Sequence, residues 1–92
     1  MLVWGGAFVR AYKRAVKKRP EIEGQIKRAL SLLQDDPFSL ELETHKLRGR
    51  LAGSWACRVG YDLRIIFEFV ENADREKKDI LLLEIGTHDE VY

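Results

Sequence analysis

The last seven residues, Gly86-Thr87-His88-Asp89-Glu90-Val91-Tyr92, put an imidazole, two carboxylates and a phenol at the end of an apolar run. Histidine is the side chain whose ordinary titration range lies around neutral pH, so His88 can give or take a proton in a reaction. Functional side chains concentrate where chain leaves a rigid scaffold, which is the position this segment occupies after Ile80–Ile85. A solvated tail is the plainer alternative, and such tails fray. A second polar set lies upstream in Thr44-His45-Lys46-Leu47-Arg48-Gly49-Arg50, where one histidine and three cations surround a glycine. It reads either as a solvated basic loop or as a place where His45 and Lys46 approach a phosphate.

Ninety-two residues suffice for one domain with a modest core, spanning 1–92, and leave no room for multidomain machinery. The formal net charge is only +1, but the charge is unevenly spread. Through Arg50 there are eleven basic and six acidic residues; from Leu51 onward there are five and nine. The basic half can face a polyanion. The single cysteine, Cys57, lies in an apolar run and reads as a small buried hydrophobe, without a disulfide or cysteine-based zinc site. No leader pattern and no apolar run of membrane-spanning length is present, so a cytoplasmic location with no membrane contact is the expectation.

The elements that must position these groups can be read in order. Leu2-Val3-Trp4 suggests a short strand closed by Gly5-Gly6. Phe8, Ala11, Tyr12 and Ala15 then recur at helical spacing, with Arg10, Lys13, Arg14, Lys17 and Lys18 mainly on the other side. Arg19-Pro20 breaks that helix and starts a second, whose stripe is Ile22, Ile26, Ala29, Leu30 and Leu33. The short connection predicts an antiparallel helical hairpin. Phe38–Glu43 reads as a loop returning to a sheet.

Alternation predicts strands thereafter. Trp55, Cys57 and Val59 fall on one face, with Ala56 and Arg58 on the other; Leu63, Ile65, Phe67 and Phe69 oppose Arg64, Ile66 and Glu68. In the last strand Leu81, Leu83 and Ile85 are expected opposite Ile80, Leu82 and Glu84. Short connections favour an antiparallel meander, with the N-terminal strand at an edge or beside the last strand. The fold class is therefore α+β: a helical hairpin on one face of a small, mainly antiparallel sheet. The opposite face, bearing Arg58, Arg64, Glu68 and Glu84, stays partly polar.

Together these segments are recognisable. The spacing in His45-Lys46-Leu47-Arg48-Gly49, in Trp55-x-x-Arg58-Val59, in Tyr61-Asp62-x-Arg64-Ile65-Ile66-Phe67 and in Gly86–Tyr92 resembles that of the RelE/ParE superfamily of bacterial toxins. The likeness is closer to the RelE and YafQ branch, and Phe8-x-x-x-Tyr12-Lys13 and the Leu30-to-Pro37 helix end extend it over nearly the whole chain. The resemblance implies an mRNA endoribonuclease, acting at the ribosome, that is paired with an antitoxin protein. It also implies that His88 takes part in proton transfer, that Arg64 stabilises the phosphate, and that Tyr92 lies beside the substrate. His45 and Asp62 match a histidine and a strand acid of the YafQ branch. Arg58 stands where that branch has another histidine, and Leu63 where it has an aromatic.

The residue chemistry suits that expectation. Cleaving RNA without metal needs a base for the 2′-hydroxyl, an acid for the leaving 5′-oxygen, and cations for the charge building on phosphorus. The histidines serve the first two needs; Arg64 serves the third, with Lys46, Arg48, Arg50 and Arg58 as candidate substrate contacts. Tyr92 offers a face on which a base can stack. Two histidines and scattered carboxylates show no metal-ligand spacing, so no metal or cofactor is expected. A gyrase poison of the ParE type and a non-catalytic antitoxin-binding protein are the rival readings. An acidic, amphipathic antitoxin tail would complement the basic half.

Overall fold

The protein is described here by a computed structural model covering residues 1–92. The first strand, β1 (Leu2–Trp4), leads through Gly5 into α1 (Gly6–Lys18). Gly5 donates its N–H to Leu82 O at 3.0 Å, and a Cβ there would lie 2.6 Å from that same oxygen. Only glycine allows this close passage from strand to helix. A 3₁₀ turn at Pro20–Ile22 precedes α2 (Glu23–Asp35), so the second helix begins three residues later than proline at its first position predicts. The Tyr12 hydroxyl ties the two helices by donating to Glu23 Oε2 at 2.7 Å. Burial, reinforced by that carboxylate, pushes the Tyr12 phenol up to about 12.

After a 3₁₀ turn at Leu40–Leu42 come β2 (His45–Lys46), a further 3₁₀ turn at Gly49–Leu51, β3 (Trp55–Val59), β4 (Leu63–Val70), β5 (Asp79–Thr87) and a terminal helical turn, α3 (His88–Val91). The five strands run in the order β1-β5-β4-β3-β2. The meander is antiparallel, and β1 joins beside β5 in parallel. The start of the expected basic loop is thus an edge strand: His45 pairs with Ala56 and Lys46 with Trp55.

One face of the sheet carries both helices, with α1 over β5 and α2 over β3. Phe8, Ala11, Ile26, Ala29, Leu30 and Leu33 pack there against Cys57, Val59, Leu63, Ile65 and Phe67. That is the facing which alternation predicts for β3 and β4. Cys57 is fully buried, and burial pushes its thiol up to about 12, so it is a filler of the core and not a nucleophile.

The expected facing of β5 holds at Glu84 and Ile85 but is reversed over Ile80–Leu83 by a bulge. Ile66 pairs with Glu84 but Phe67 pairs with Leu82, which leaves Leu83 as an extra residue. An extra residue shifts the alternation by one. Ile80 and Leu82 enter the core before it and Ile85 after it, while Leu81 and Leu83 stay outside the core cluster. Past the bulge, Glu84 and Gly86 therefore share the outer face with Ile66 and Arg64.

Candidate active site

On the outer face one rung of the sheet runs Arg58, Arg64, Gly86, and the neighbouring same-face rung runs His45, Ala56, Ile66, Glu84. Directly opposed residues share a face, so Arg58 and Arg64 stand side by side. Like charges so placed repel and call for an anion. Arg58 has one: its Nη1 donates to Glu43 Oε2 at 2.7 Å and its Nε to Gly60 O at 2.8 Å. The Arg58 guanidinium holds the Glu43 carboxyl below its ordinary value, and Glu43 reaches it from a left-handed backbone conformation, φ 49°. Arg64 is half-buried and donates only to the Leu63 carbonyl, at 2.9 Å. It forms no ion pair with any carboxylate of the chain.

The terminal turn α3 lies over this rung and packs against β4 and β5. A Cβ at Gly86 would come within 3.0 Å of Glu90 Cβ and 3.2 Å of Val91 Cγ1, so the missing side chain is what lets α3 seat on the strand. Glu90 fastens the turn by accepting from Thr87 N–H at 2.8 Å, as a carboxylate three residues into a helix does. Arg50 fastens the far end, with Nη2 donating to Tyr92 O at 3.1 Å. The tail is thus held at both ends, contrary to a fraying terminus. On the same outer face Ala56 and Ile66 are buried.

Hydrogen bonding from Thr87 holds the Glu90 carboxyl below its ordinary 4.5. A depressed carboxyl contributes stability that is present above the unfolded value and lost as pH falls through the folded one. Lowering the pH from about 6 to about 3 is therefore expected to release α3 before the core. Exchange of the Thr87 amide, followed by NMR across that range, checks this. Unchanged protection at the acid end would show that Glu90 does not hold the turn.

Within α3 the His88 and Tyr92 rings meet edge to face, centroids 4.6 Å apart. His88 is exposed, with Nδ1 3.5 Å from Asp89 Oδ1. The Tyr92 hydroxyl is buried without a hydrogen-bond partner. Burial raises its phenol above the ordinary value, opposed by the nearby Arg64 charge. His45 is exposed, and its Nδ1 lies 2.9 Å from Glu43 O. That contact leaves Nε2 as the ring nitrogen free to meet a substrate.

His45, Arg58, Arg64, His88 and Tyr92 are thus gathered around one outer face, with Arg50 at its rim. Three candidates stand apart. Lys46, next to His45 on a strand, points to the other face, its Nζ 5.5 Å from the Trp55 ring centroid. Asp62 is engaged by Arg19 Nη1 at 2.9 Å, which ties the β3–β4 turn to the end of α1. Arg48 precedes the Gly49–Leu51 turn and makes no side-chain hydrogen bond or ion pair. Glu43, which neutralises Arg58, went unnoticed in the sequence, where nothing distinguishes it from other loop carboxylates. No three His, Cys, Asp or Glu side chains converge as a metal site would require.

The chain matches the family of the bacterial toxin of type II toxin-antitoxin system, YafQ, over residues 2–92. Among solved structures, YafQ from E. coli strain BL21(DE3) superposes with a TM-score of 0.78 at 19% identity, covering 100% of this chain and 97% of that one. The E. coli DinJ-YafQ complex gives 0.76 at 20%, covering 100% and 97%. A YoeB/ParE toxin from Agrobacterium tumefaciens gives 0.76 at 17%, covering 95% and 97%. No curated protein matches by sequence. At these identities the structures speak for the fold, while the family match spans nearly the whole chain. The chain belongs to the YafQ family of bacterial toxins of type II toxin–antitoxin systems.

Proposed function

We propose that this toxin cleaves mRNA by metal-independent transesterification on the outer face of the sheet. The observation that carries the proposal is Arg64, a half-buried guanidinium without a carboxylate partner, lying beside the His88–Tyr92 turn. A cation left unpaired there is a ready site for a phosphate. In the reaction, a base takes the 2′-hydroxyl proton, the 2′-oxygen bonds to phosphorus, and the bond from phosphorus to the 5′-oxygen breaks. An acid then protonates that oxygen, leaving a 2′,3′-cyclic phosphate and a 5′-hydroxyl. His88 and His45 are assigned the two proton transfers, and Arg64 the charge on the phosphorane. Arg58, already neutralised by Glu43, is assigned a weaker contact with a neighbouring phosphate, and Arg48 a contact at the rim. The exposed part of the Tyr92 ring, beside His88, is assigned to a base. Asp62, engaged by Arg19, is assigned a structural part, and so is Arg50 through its bond to Tyr92.

A cognate antitoxin is proposed as the protein partner, as DinJ is of YafQ in the E. coli complex. Action at the ribosome, in the cytoplasm, follows the same reading. No helix is long and apolar enough to cross a membrane.

Cleavage by the purified toxin, on translating ribosomes and on free RNA, is expected to persist in excess EDTA. The products should carry 5′-hydroxyl and cyclic or 3′-phosphate ends. Loss of activity in EDTA, with ribosomes shown to be intact, would overturn the mechanism. Inhibition of gyrase supercoiling by a toxin that leaves RNA untouched would replace it with the ParE-type reading.

A further inference from the structure

The two helices treat their cations differently. In α2, Lys27 pairs with Glu23 and Arg28 with Glu41, so both are answered by a carboxylate. In α1 none of Arg10, Lys13, Arg14, Lys17 and Lys18 forms an ion pair, and all five are exposed. Arg10 with Arg14, Lys13 with Lys17, and Arg14 with Lys18 are like charges at i, i+4, each of which destabilises a helix. The helix dipole rewards cations only in the last turn, which accounts for Lys17 and Lys18 but not for the other three. A ridge so arranged is unfavourable for folding unless something anionic meets it.

The ridge also adjoins the proposed active site. A cleft of about 240 Å³ separates α1 from the end of β5, lined by Arg14 and Lys18 on one side and Thr87 and Glu90 on the other. Glu90 is the one carboxylate facing those two cations; it feels both of them and offsets one of their two charges. Arg19, at the cleft's margin, is paired with Asp62. The free charge in the cleft is therefore positive, and it leads from the His88 turn onto the ridge.

We propose that α1 is a second RNA contact, a backbone track in which Arg10, Arg14, Lys17 and Lys18 bind phosphates of the strand beyond the cleaved bond. This rests on the RNA-cleaving reading above. Arg10, Arg14 and Lys18, four residues apart, rise about 6 Å per step along the helix, a stagger suited to consecutive phosphates of an extended strand, and Lys17 flanks that row. Such contacts carry no sequence information; they lengthen the footprint and make it salt-dependent.

The test compares the full-length toxin with the variant Arg10→Gln, Arg14→Gln, Lys17→Gln, Lys18→Gln, whose folding is checked by thermal melting. Each is titrated across a salt series with 2′-O-methyl RNA, which cannot be cleaved, of about 4 and about 12 nucleotides. Removing four phosphate contacts should flatten the slope of log K against log salt for the longer strand by roughly 3. The shorter strand should bind as before, and cleavage of a short unmodified RNA should be unchanged. An unaltered slope and affinity for the longer strand would overturn the proposal. So would a variant that loses binding only to polyglutamate, used as an acidic peptide, because α1 would then be a docking face for an acidic protein. A wild-type toxin that binds with the expected slope but cleaves no RNA would instead refute the catalytic reading and leave the track standing.

Discussion

Replacing His88 or Arg64 by alanine is expected to lower RNA cleavage by about two orders of magnitude or more, with folding intact. The two losses arise differently. His88 is 71% exposed, so its removal leaves no cavity and takes away the group assigned to a proton transfer together with its edge contact to Tyr92. Arg64 is half-buried beside Arg58, and its removal withdraws the one cation of the rung that no carboxylate already occupies. Its alanine variant should relieve the repulsion within the rung, so stability should hold or rise slightly while cleavage falls. Arg58→Ala, by contrast, breaks an exposed pair with Glu43 and should cost little in stability and less in cleavage than Arg64→Ala. Single-turnover cleavage beside thermal melts separates these outcomes. Full cleavage by both His88→Ala and Arg64→Ala would place the active site elsewhere.

The groups of that site were legible as types before they were legible as a site. Histidines at 45 and 88, arginines at 58 and 64 and the terminal tyrosine could be picked out by their chemistry. The regular alternation of β3 and β4 was enough to put both arginines on the face away from the helices. What could not be read is which charge answers which. Arg58 with Glu43 and Asp62 with Arg19 are pairs 15 and 43 residues apart, and any of several carboxylates would have served as well on paper. The bond from Arg50 to Tyr92, 42 residues away, is of the same kind. It sets Arg50, an expected substrate contact, against the terminal turn.

The facing of β5 failed only before the bulge, over Ile80–Leu83, since Ile85 does face the core and Glu84 the outer side as alternation predicts, and the reason is different. In Ile80-Leu81-Leu82-Leu83 every position is apolar, so a period of two has nothing polar to register against. The decision falls to the partner strand, where the fully buried Phe67 takes Leu82 opposite it and leaves Leu83 over. The shift of one residue then brings Glu84 and Gly86 outward, and an outward Gly86 is what α3 needs. A local irregularity invisible in the sequence thus sets the platform on which His88 sits.

Phe67→Ala is accordingly expected to be among the most damaging single changes in the chain. Its ring is fully buried, opposite Trp55 and Leu82 on the flanking strands and edge-on to Phe69, centroids 5.4 Å apart. Truncation removes its transfer energy and leaves a cavity at the bulge, at a cost of about 3–5 kcal/mol. Against a total stability of about 5–15 kcal/mol for a domain, that is a fifth or more of the whole. At roughly 4–8 °C per kcal/mol for a domain near this size, Tm should fall by about 12 °C or more. Tyr61→Ala removes a side chain of similar volume that is 89% exposed at the β3–β4 turn, and should stay within about 0.5 kcal/mol of wild type. Urea unfolding of the two variants beside wild type makes the comparison. If Phe67→Ala melted with Tyr61→Ala, Phe67 would not be the residue that determines which side chains of β5 turn inward, and the placement of Gly86 under α3 would need another cause.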